Sequence, residues 1–490
     1  MSLTFAAVLP LPPLDDFGPA EALGGAFILT VALVASAHAV IYKREPRSAA
    51  LWVVLIWTLP AAGAVLYLLL GINRVRRRAT ALRRQMVRHR TEPPLPATEG
   101  ALAAQAAAHL LPLTRLVNQV IPRPLLAGNS IAVLRDGAAA YPAMLDAIAS
   151  ARTSIAMASY IFDGHGIGAE FVAALAGAHR RGVAVRVLID DVDARFSRST
   201  AVAPLRRAGV NTGVFNPPLF PARLSAVHLR NHRKILVVDG HAGFTGGINI
   251  DERYWRPQNP ASACKDLHFR LNGPIVAHLM EVFADDWHFT TGQSLQGPTW
   301  FPPLQATGAA LARGIEAGPD ENYERLRWVI IGALNGAQRS VRILTPYFVP
   351  DAALISTLNA AAMRGVEVDI LLPEVSDLAH IHWATFGQLW QVLERGCRVW
   401  LTPPSFDHSK LMVVDGVWTL FGSANWDARS LRLNFELNVE CYCAALGAEL
   451  EQMIGMKRGA ARRIRLADVD QRSLPVKLRD GFARMFAPFL

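Results

Sequence analysis

The sequence predicts an α/β protein made of two α/β/α sandwich halves related by a pseudo-twofold axis, preceded by an N-terminal transmembrane hairpin. Three observations carry that expectation. Two long apolar runs without formal charge occupy the first seventy residues. Strand-like and helix-like segments alternate from about Asn129 onward, and the alternation starts again after the Gly/Pro-rich stretch Gly292–Pro303. A constellation of polar residues then recurs in both repeats at constant spacing.

The hairpin comes first. Leu23–Tyr42 and Ala49–Leu70 are each long enough to cross, since a helix needs about 20 residues for a hydrocarbon core of ~30 Å. A signal peptide fits poorly, because the flank before Leu23 holds Asp15, Asp16 and Glu21 and no basic residue. Eight arginines follow between Arg74 and Arg90 with no acid among them. By the positive-inside rule that run keeps itself and everything after it in the cytoplasm. Lys43, Arg44 and Arg47 in the connecting loop pull the other way, and Pro60 and Gly63 allow a re-entrant second segment instead. The arginines also suit attraction to anionic lipid, at about 1 kcal/mol per basic residue near the surface.

Composition agrees with a membrane protein of more than one domain. The chain has 490 residues, 51% of them hydrophobic, with a formal charge of +10. That charge calls for an anionic partner without separating nucleic acid from lipid headgroups. Cys264, Cys397, Cys441 and Cys443 have neither disulfide-framework nor zinc-ligand spacing.

Each repeat opens with a strand–helix–strand unit. Ser154–Phe162, Gly168–Arg181 and Val183–Asp191 form the first, and Ser340–Val349, Asp351–Arg364 and Val366–Pro373 the second. Both helical segments end on Arg-Gly-Val. The expected boundaries are 1–72 for the hairpin, 73–125 for a basic juxtamembrane linker, 126–298 for the first half and 304–490 for the second.

The recurring constellation is His-x-Lys-x4-Asp. His232, Lys234 and Asp239 are followed by Gly246, Gly247 and Asn249; His408, Lys410 and Asp415 by Gly422, Ser423 and Asn425, every position offset by 176 residues. Lys234 and Lys410 are two of only six lysines in an arginine-biased chain, so a compact ammonium is needed where a planar fork is not. In extended backbone each His and Lys two residues apart share a face. Two such motifs meeting across the pseudo-twofold give two imidazoles ringed by ammonium and amide donors, a pocket for a tetrahedral anion such as a phosphodiester. Imidazole serves there as nucleophile or acid near neutral pH. No carboxylate grouping suited to Mg²⁺ is present in the sequence, and neither a metal nor a cofactor is expected.

These motifs resemble the HKD signatures of the phospholipase D superfamily, and the chain as a whole resembles the bacterial cardiolipin synthase family. The resemblance runs through the N-terminal hairpin, Tyr160–Gly168, Asn231–Ile250, Thr345–Asp351 and Gly422–Asn438. It implies two phospholipase D-like halves and a two-step exchange. One histidine takes the phosphatidyl group from phosphatidylglycerol, and a second phosphatidylglycerol then collects it. By that analogy His232 is the nucleophile and His408 the acid, then the base. Lys234, Lys410, Asn249 and Asn425 hold phosphoryl oxygens, with Gly247 and Ser423 beside them. Asp239 and Asp415 belong to the catalytic motif but are expected to fix local structure. A carboxylate orients each histidine, Glu436 for His408 and Asp266 for His232.

The partners implied are phosphatidylglycerol, other anionic phospholipids and the bilayer, with no nucleic acid; the oligomeric state is open. The implied location is the bacterial inner membrane, multi-pass, with the catalytic halves on the cytoplasmic side. Hydrolysis by the same chemistry, a tethered phosphodiesterase or nuclease, and a non-catalytic scaffold are the competing readings. The segment Lys457–Leu490 mixes arginines with Phe482, Met485, Phe486 and Phe489, which fits an interfacial helix and a packing helix equally.

Overall fold

A computed structural model of the chain describes residues 19–43, 46–71, 91, 95–196, 199–215, 230–320 and 322–487. The arginine run of 74–90 and Phe489 lie outside the described residues. Two compact units are present, 1–77 and 78–490.

In the first unit the expected first crossing is one helix, Pro19–Tyr42. The second run is not. It divides into helices Pro46–Thr58 and Pro60–Leu66 and a π turn at Tyr67–Gly71, broken at Leu59 with φ −132°. Pro60 lacks an N–H and forces the residue before it out of the helical region. A helix of 13 residues reaches only about 20 Å at 1.5 Å per residue. Among the described residues only Ala22–Tyr42 is long and apolar enough to cross a membrane, one candidate span where the hairpin expects two. Ala32, Ala35 and Ala39 on that helix pack with Ile56, Ala64 and Tyr67, small residues letting the backbones approach.

Among the described residues, the second unit is built on one sheet of sixteen strands. In chain order they are β1 Leu126–Arg135, β2 Ser154–Ser159, β3 Ala184–Asp190, β4 Asn211–Phe215, β5 Arg230–Asn231, β6 Ile235–Val238, β7 Ala242–Gly246 and β8 Leu267–Asn272. Then follow β9 Ala310–Ala317, β10 Ser340–Leu344, β11 Glu367–Pro373, β12 Arg398–Thr402, β13 Leu411–Val414, β14 Trp418–Gly422, β15 Asn434–Tyr442 and β16 Arg462–Ile464. Across the sheet the order is β16-β12-β11-β10-β13-β14-β15-β9-β1-β8-β7-β6-β2-β3-β4, with β5 pairing β15 off that path.

The order is symmetric about the β1–β9 pair. On each side the sheet runs through an antiparallel meander into three parallel strands, β2-β3-β4 and β10-β11-β12. Parallel strands need covered faces, and helices such as Ile167–Arg180 and Ala352–Met363 supply that cover. The four-residue runs Ile235–Val238 and Leu411–Val414 are wholly buried because both faces of the sheet are covered there.

The repeated Arg-Gly-Val tripeptides are helix stops. Gly182 and Gly365 adopt φ of +88° and +89°, where a side chain would be strained. The N–H groups of Val183 and Val366 then return to the carbonyls of Ala178 and Ala361. Arg181 and Arg364 donate to the last carbonyls of the preceding helices, at Ile148–Ala149 and Leu334–Asn335.

Candidate active site

Each histidine sits just before a buried central strand, His232 before β6 and His408 before β13. Both are pinned through their own N–H groups to the opposite half. His232 donates to Phe435 O on β15 at 2.9 Å, and His408 to Lys265 O, just before β8, at 2.7 Å. The side chains cross the same way. His232 Nδ1 lies 3.0 Å from Glu436 Oε2, and His408 Nδ1 lies 2.9 Å from Asp266 Oδ2. This reverses the expected pairing, in which each carboxylate served the histidine of its own half. The reason is geometric: β8 and β15 lie on either side of the central β1–β9 pair, and the pseudo-twofold delivers each acid to the other motif.

The two acids occupy equivalent places although the 176-residue offset fails for them. Gly247 N donates to Leu267 O and Ser423 N donates to Leu437 O, which aligns Asp266 with Glu436. Seventeen residues separate Asn249 from Asp266 but only eleven separate Asn425 from Glu436, so an extra loop in the first half hides the match.

The lysines follow their histidines. Lys234 Nζ donates to His232 O at 2.8 Å, and Lys410 Nζ does the same to His408 O. Burial lowers the Lys234 ammonium to about 7, with Lys410 adding to the effect and Glu436 opposing it. Burial also lowers Lys410, against Asp266. His232 is lowered by burial, with Glu436 pulling up and Lys234 down. His408 falls well below its ordinary value through burial, Lys410, Lys234 and His232. Cations from both motifs act on one another, as one shared site requires.

The carboxylates differ. Burial pushes Glu436 up, but His232, Lys234 and the Ser423 hydroxyl outweigh it, and the group ends below its ordinary value. Asn434 Nδ2 donates to it as well, at 3.1 Å. Asp266 is raised to about 7 by burial, against Lys410 and the Leu267 N–H. A residue pair accounts for part of this asymmetry. Ser423 donates its hydroxyl to Glu436, whereas the equivalent Gly247 has none to give. Any side chain at Gly247 would collide with the Asp266 carboxylate.

Gly247 and Ser423 thus each lie against the carboxylate of their own half. Asn249 Oδ1 accepts from the Ile161 N–H at 3.3 Å, a structural bond. Asn425 keeps its open role: its buried Oδ1 has no hydrogen-bond partner and it lines a small cavity with Lys410 and Asn438. Asp239 and Asp415 stand at the far ends of β6 and β13 from the histidines. Asp239 accepts from the N–H groups of Arg152, Thr153 and Ser154, and Asp415 from those of Gln338, Arg339 and Ser340. They anchor the starts of β2 and β10.

Sequence reasoning missed the aromatic walls. The Tyr160 ring stands edge-on to His232 with centroids 4.8 Å apart, and Lys234 Nζ lies 5.4 Å from that ring centre. The Tyr254 hydroxyl is 3.1 Å from His408 Nδ1, and Tyr347 and Phe406 flank the same imidazole. Tyr160 lay inside a quoted motif; Tyr254 had no local signal. Behind His232, buried Arg233 makes two 2.8 Å bonds to Asp286, which also accepts from Asn231 at 2.9 Å. Among the described residues no cluster of His, Cys, Asp and Glu suits a metal ion.

Comparison with known proteins gives consistent matches. Residues 144–287 and 330–456 match the family described as cardiolipin synthase, phospholipase D-like domain, and residues 30–71 match the phospholipase D-nuclease N-terminal family. The major cardiolipin synthase ClsA of Bacillus subtilis is 30% identical over 480 residues, covering 95% of this chain and 98% of the relative. Cardiolipin synthase A of Pseudomonas aeruginosa is 33% identical over 470 residues, covering 94% and 95%. Among solved structures, phosphatidylserine synthase from Haemophilus influenzae aligns with a TM-score of 0.61 at 16% identity, over 77% of this chain and all of the other, a likeness of fold.

Proposed function

The chain belongs to the cardiolipin synthase family of phospholipase D-like domains, and from that premise we propose that it joins two phosphatidylglycerol molecules into cardiolipin and releases glycerol. The observation that carries the mechanism is the pair of imidazoles, each held through Nδ1 by a buried carboxylate of unequal basicity. Ionised Glu436 accepts the Nδ1 proton of His232, which leaves the Nε2 lone pair free to attack phosphorus. Asp266 near 7 shares its proton with His408. In that state a protonated Asp266 donates to Nδ1, and His408 carries its own proton on Nε2.

The first step forms the His232 Nε2–P bond and breaks the bond from phosphorus to the glycerol oxygen. The leaving oxygen takes the Nε2 proton of His408, and the Asp266 proton moves onto Nδ1. His408 is then a base with a free Nε2. It removes a proton from the glycerol hydroxyl of the second phosphatidylglycerol, whose oxygen attacks phosphorus and frees His232. Lys234 and Lys410 are the ammonium donors to the phosphoryl oxygens, with Asn425 beside Lys410. The proposed location is the bacterial cytoplasmic membrane, anchored by Ala22–Tyr42, with the catalytic halves on the cytoplasmic side.

The test is labelled phosphatidylglycerol in vesicles with the purified full-length chain. Cardiolipin and glycerol should form, and His232→Ala and His408→Ala should each abolish both. Phosphatidic acid as the main product would replace the transferase with a hydrolase. Full activity in either histidine variant would end the shared-site mechanism.

A further inference from the structure

The C-terminal helix Leu474–Met485 is inside out. Its buried side holds Asp480, 1% exposed, which pairs with Arg472 and Arg479. Its outer side holds Leu474, Leu478, Phe482 and Met485, each between 63% and 73% exposed, with Phe486 just beyond at 48%. Spacings of four, four and three residues place these side chains in one stripe. An isolated exposed leucine needs no explanation, but a contiguous stripe of five large apolar groups does.

The helix has not rotated its apolar face inward because its polar side is tied down. Arg472 Nη2 donates to Phe386 O at 3.0 Å, and Arg484 Nη1 donates to Gly387 O at 3.2 Å. The Arg479 guanidinium sits 4.7 Å from the Trp383 ring centre. Ala483 closes a small core with Tyr347, Val349, Ile381 and Ala384. Those contacts fix the orientation and leave the stripe facing outward.

We propose that this stripe is a bilayer-docking surface for anionic lipid. The charge around it selects that occupant. Lys477, Arg479 and Arg484 are exposed on the docking helix itself. Large apolar side chains on one face, flanked by lysine and arginine, are what an interfacial helix needs to insert at the headgroup boundary. The same chain also carries a helix long and apolar enough to span a bilayer. The docked helix is coupled to the site through one layer of packing. Ala483 and Tyr347 share a core, and the Tyr347 ring lies 6.2 Å from that of His408. Docking here brings the His408 wall of the pocket to the lipid surface.

The test uses the full-length chain in nanodiscs of mixed phosphatidylglycerol and phosphatidylcholine, and of phosphatidylcholine alone. The spanning helix anchors the protein equally in both. Amide hydrogen exchange over residues 474–486 should slow by on the order of tenfold in the anionic discs. The combined variant Leu478→Gln, Phe482→Gln, Met485→Gln should lose that difference. It should also need about fivefold more phosphatidylglycerol in the bilayer for half-maximal turnover, with kcat unchanged. Equal exchange of the unmodified chain in both discs would overturn the proposal. So would protection that follows protein concentration instead of lipid, with a shift in oligomeric mass in the variant, since the stripe would then be a self-contact. Lipid-dependent protection without any cardiolipin formed would leave docking in place and remove the transferase reading.

Discussion

Lys234 and Asp266 are both shifted to about 7, and the proposed mechanism needs each in its protonated form. Lys234 is held at about 7 by burial, and its ammonium is lost as pH rises through that value. Asp266 is raised to about 7, so the proton shared with His408 is lost over the same range. His232 and Glu436 are both shifted downward and are ready as base and anion throughout. Since kcat/KM reports the free enzyme, its logarithm should fall above about pH 7 with a slope approaching −2. Lys234→Arg keeps its charge past pH 12 and should leave a slope of −1, at a lower absolute rate because a planar fork replaces a point charge. Profiles of kcat/KM between pH 5.5 and 9 decide this; an unchanged slope in the variant would remove Lys234 from the proton balance.

At the scale of elements, the two motif aspartates hold the starts of β2 and β10. Asp415 is 2% exposed, and its carboxylate accepts from three N–H groups at the start of β10 and from His109 at 2.8 Å. Hydrogen bonds to a charged group are worth about 1.5–3 kcal/mol each, and they are not additive. Asp415→Ala should therefore destabilise the chain by about 3 kcal/mol, read as a fall in the unfolding midpoint. Folded variant protein should keep a measurable turnover, unlike the histidine variants. Complete loss of activity with an unchanged midpoint would return Asp415 to the chemistry. The elements themselves were legible: Ile235–Val238 and Leu411–Val414 form the expected strands, and the two helices end at the expected Arg-Gly-Val. The second membrane segment is broken at Leu59–Pro60, where Pro60 supplies no backbone N–H, at the position the sequence marks for a re-entrant turn.

Across the whole molecule, a buried charge network stands behind His232. Arg233 joins Asp286 and the backbone carbonyl of Glu436, and Arg123 pairs with Glu281 at 2.9 Å and Glu316 at 2.9 Å. Removing one partner of such a buried pair costs about 3–5 kcal/mol, because the other charge is left without compensation. Asp286→Ala should lower the thermal midpoint accordingly. It should also reduce kcat, because Arg233 fixes the backbone between His232 and Lys234. An unchanged midpoint would show that the network contributes little.

The sequence by itself determined the duplicated motif, the pairing of each imidazole with an ammonium two residues on, the two α/β halves and a first helix fit to span a bilayer. All of these are written in local spacing and periodicity, which a chain carries whatever its neighbours do. Only the tertiary structure decided which acid serves which histidine, why Ser423 and Gly247 differ, and that Asp480 is buried while Leu478 and Phe482 face outward. Those outcomes depend on contacts between residues from 13 to more than two hundred positions apart, or on which side of a helix its neighbours leave open. No periodicity in the sequence records either.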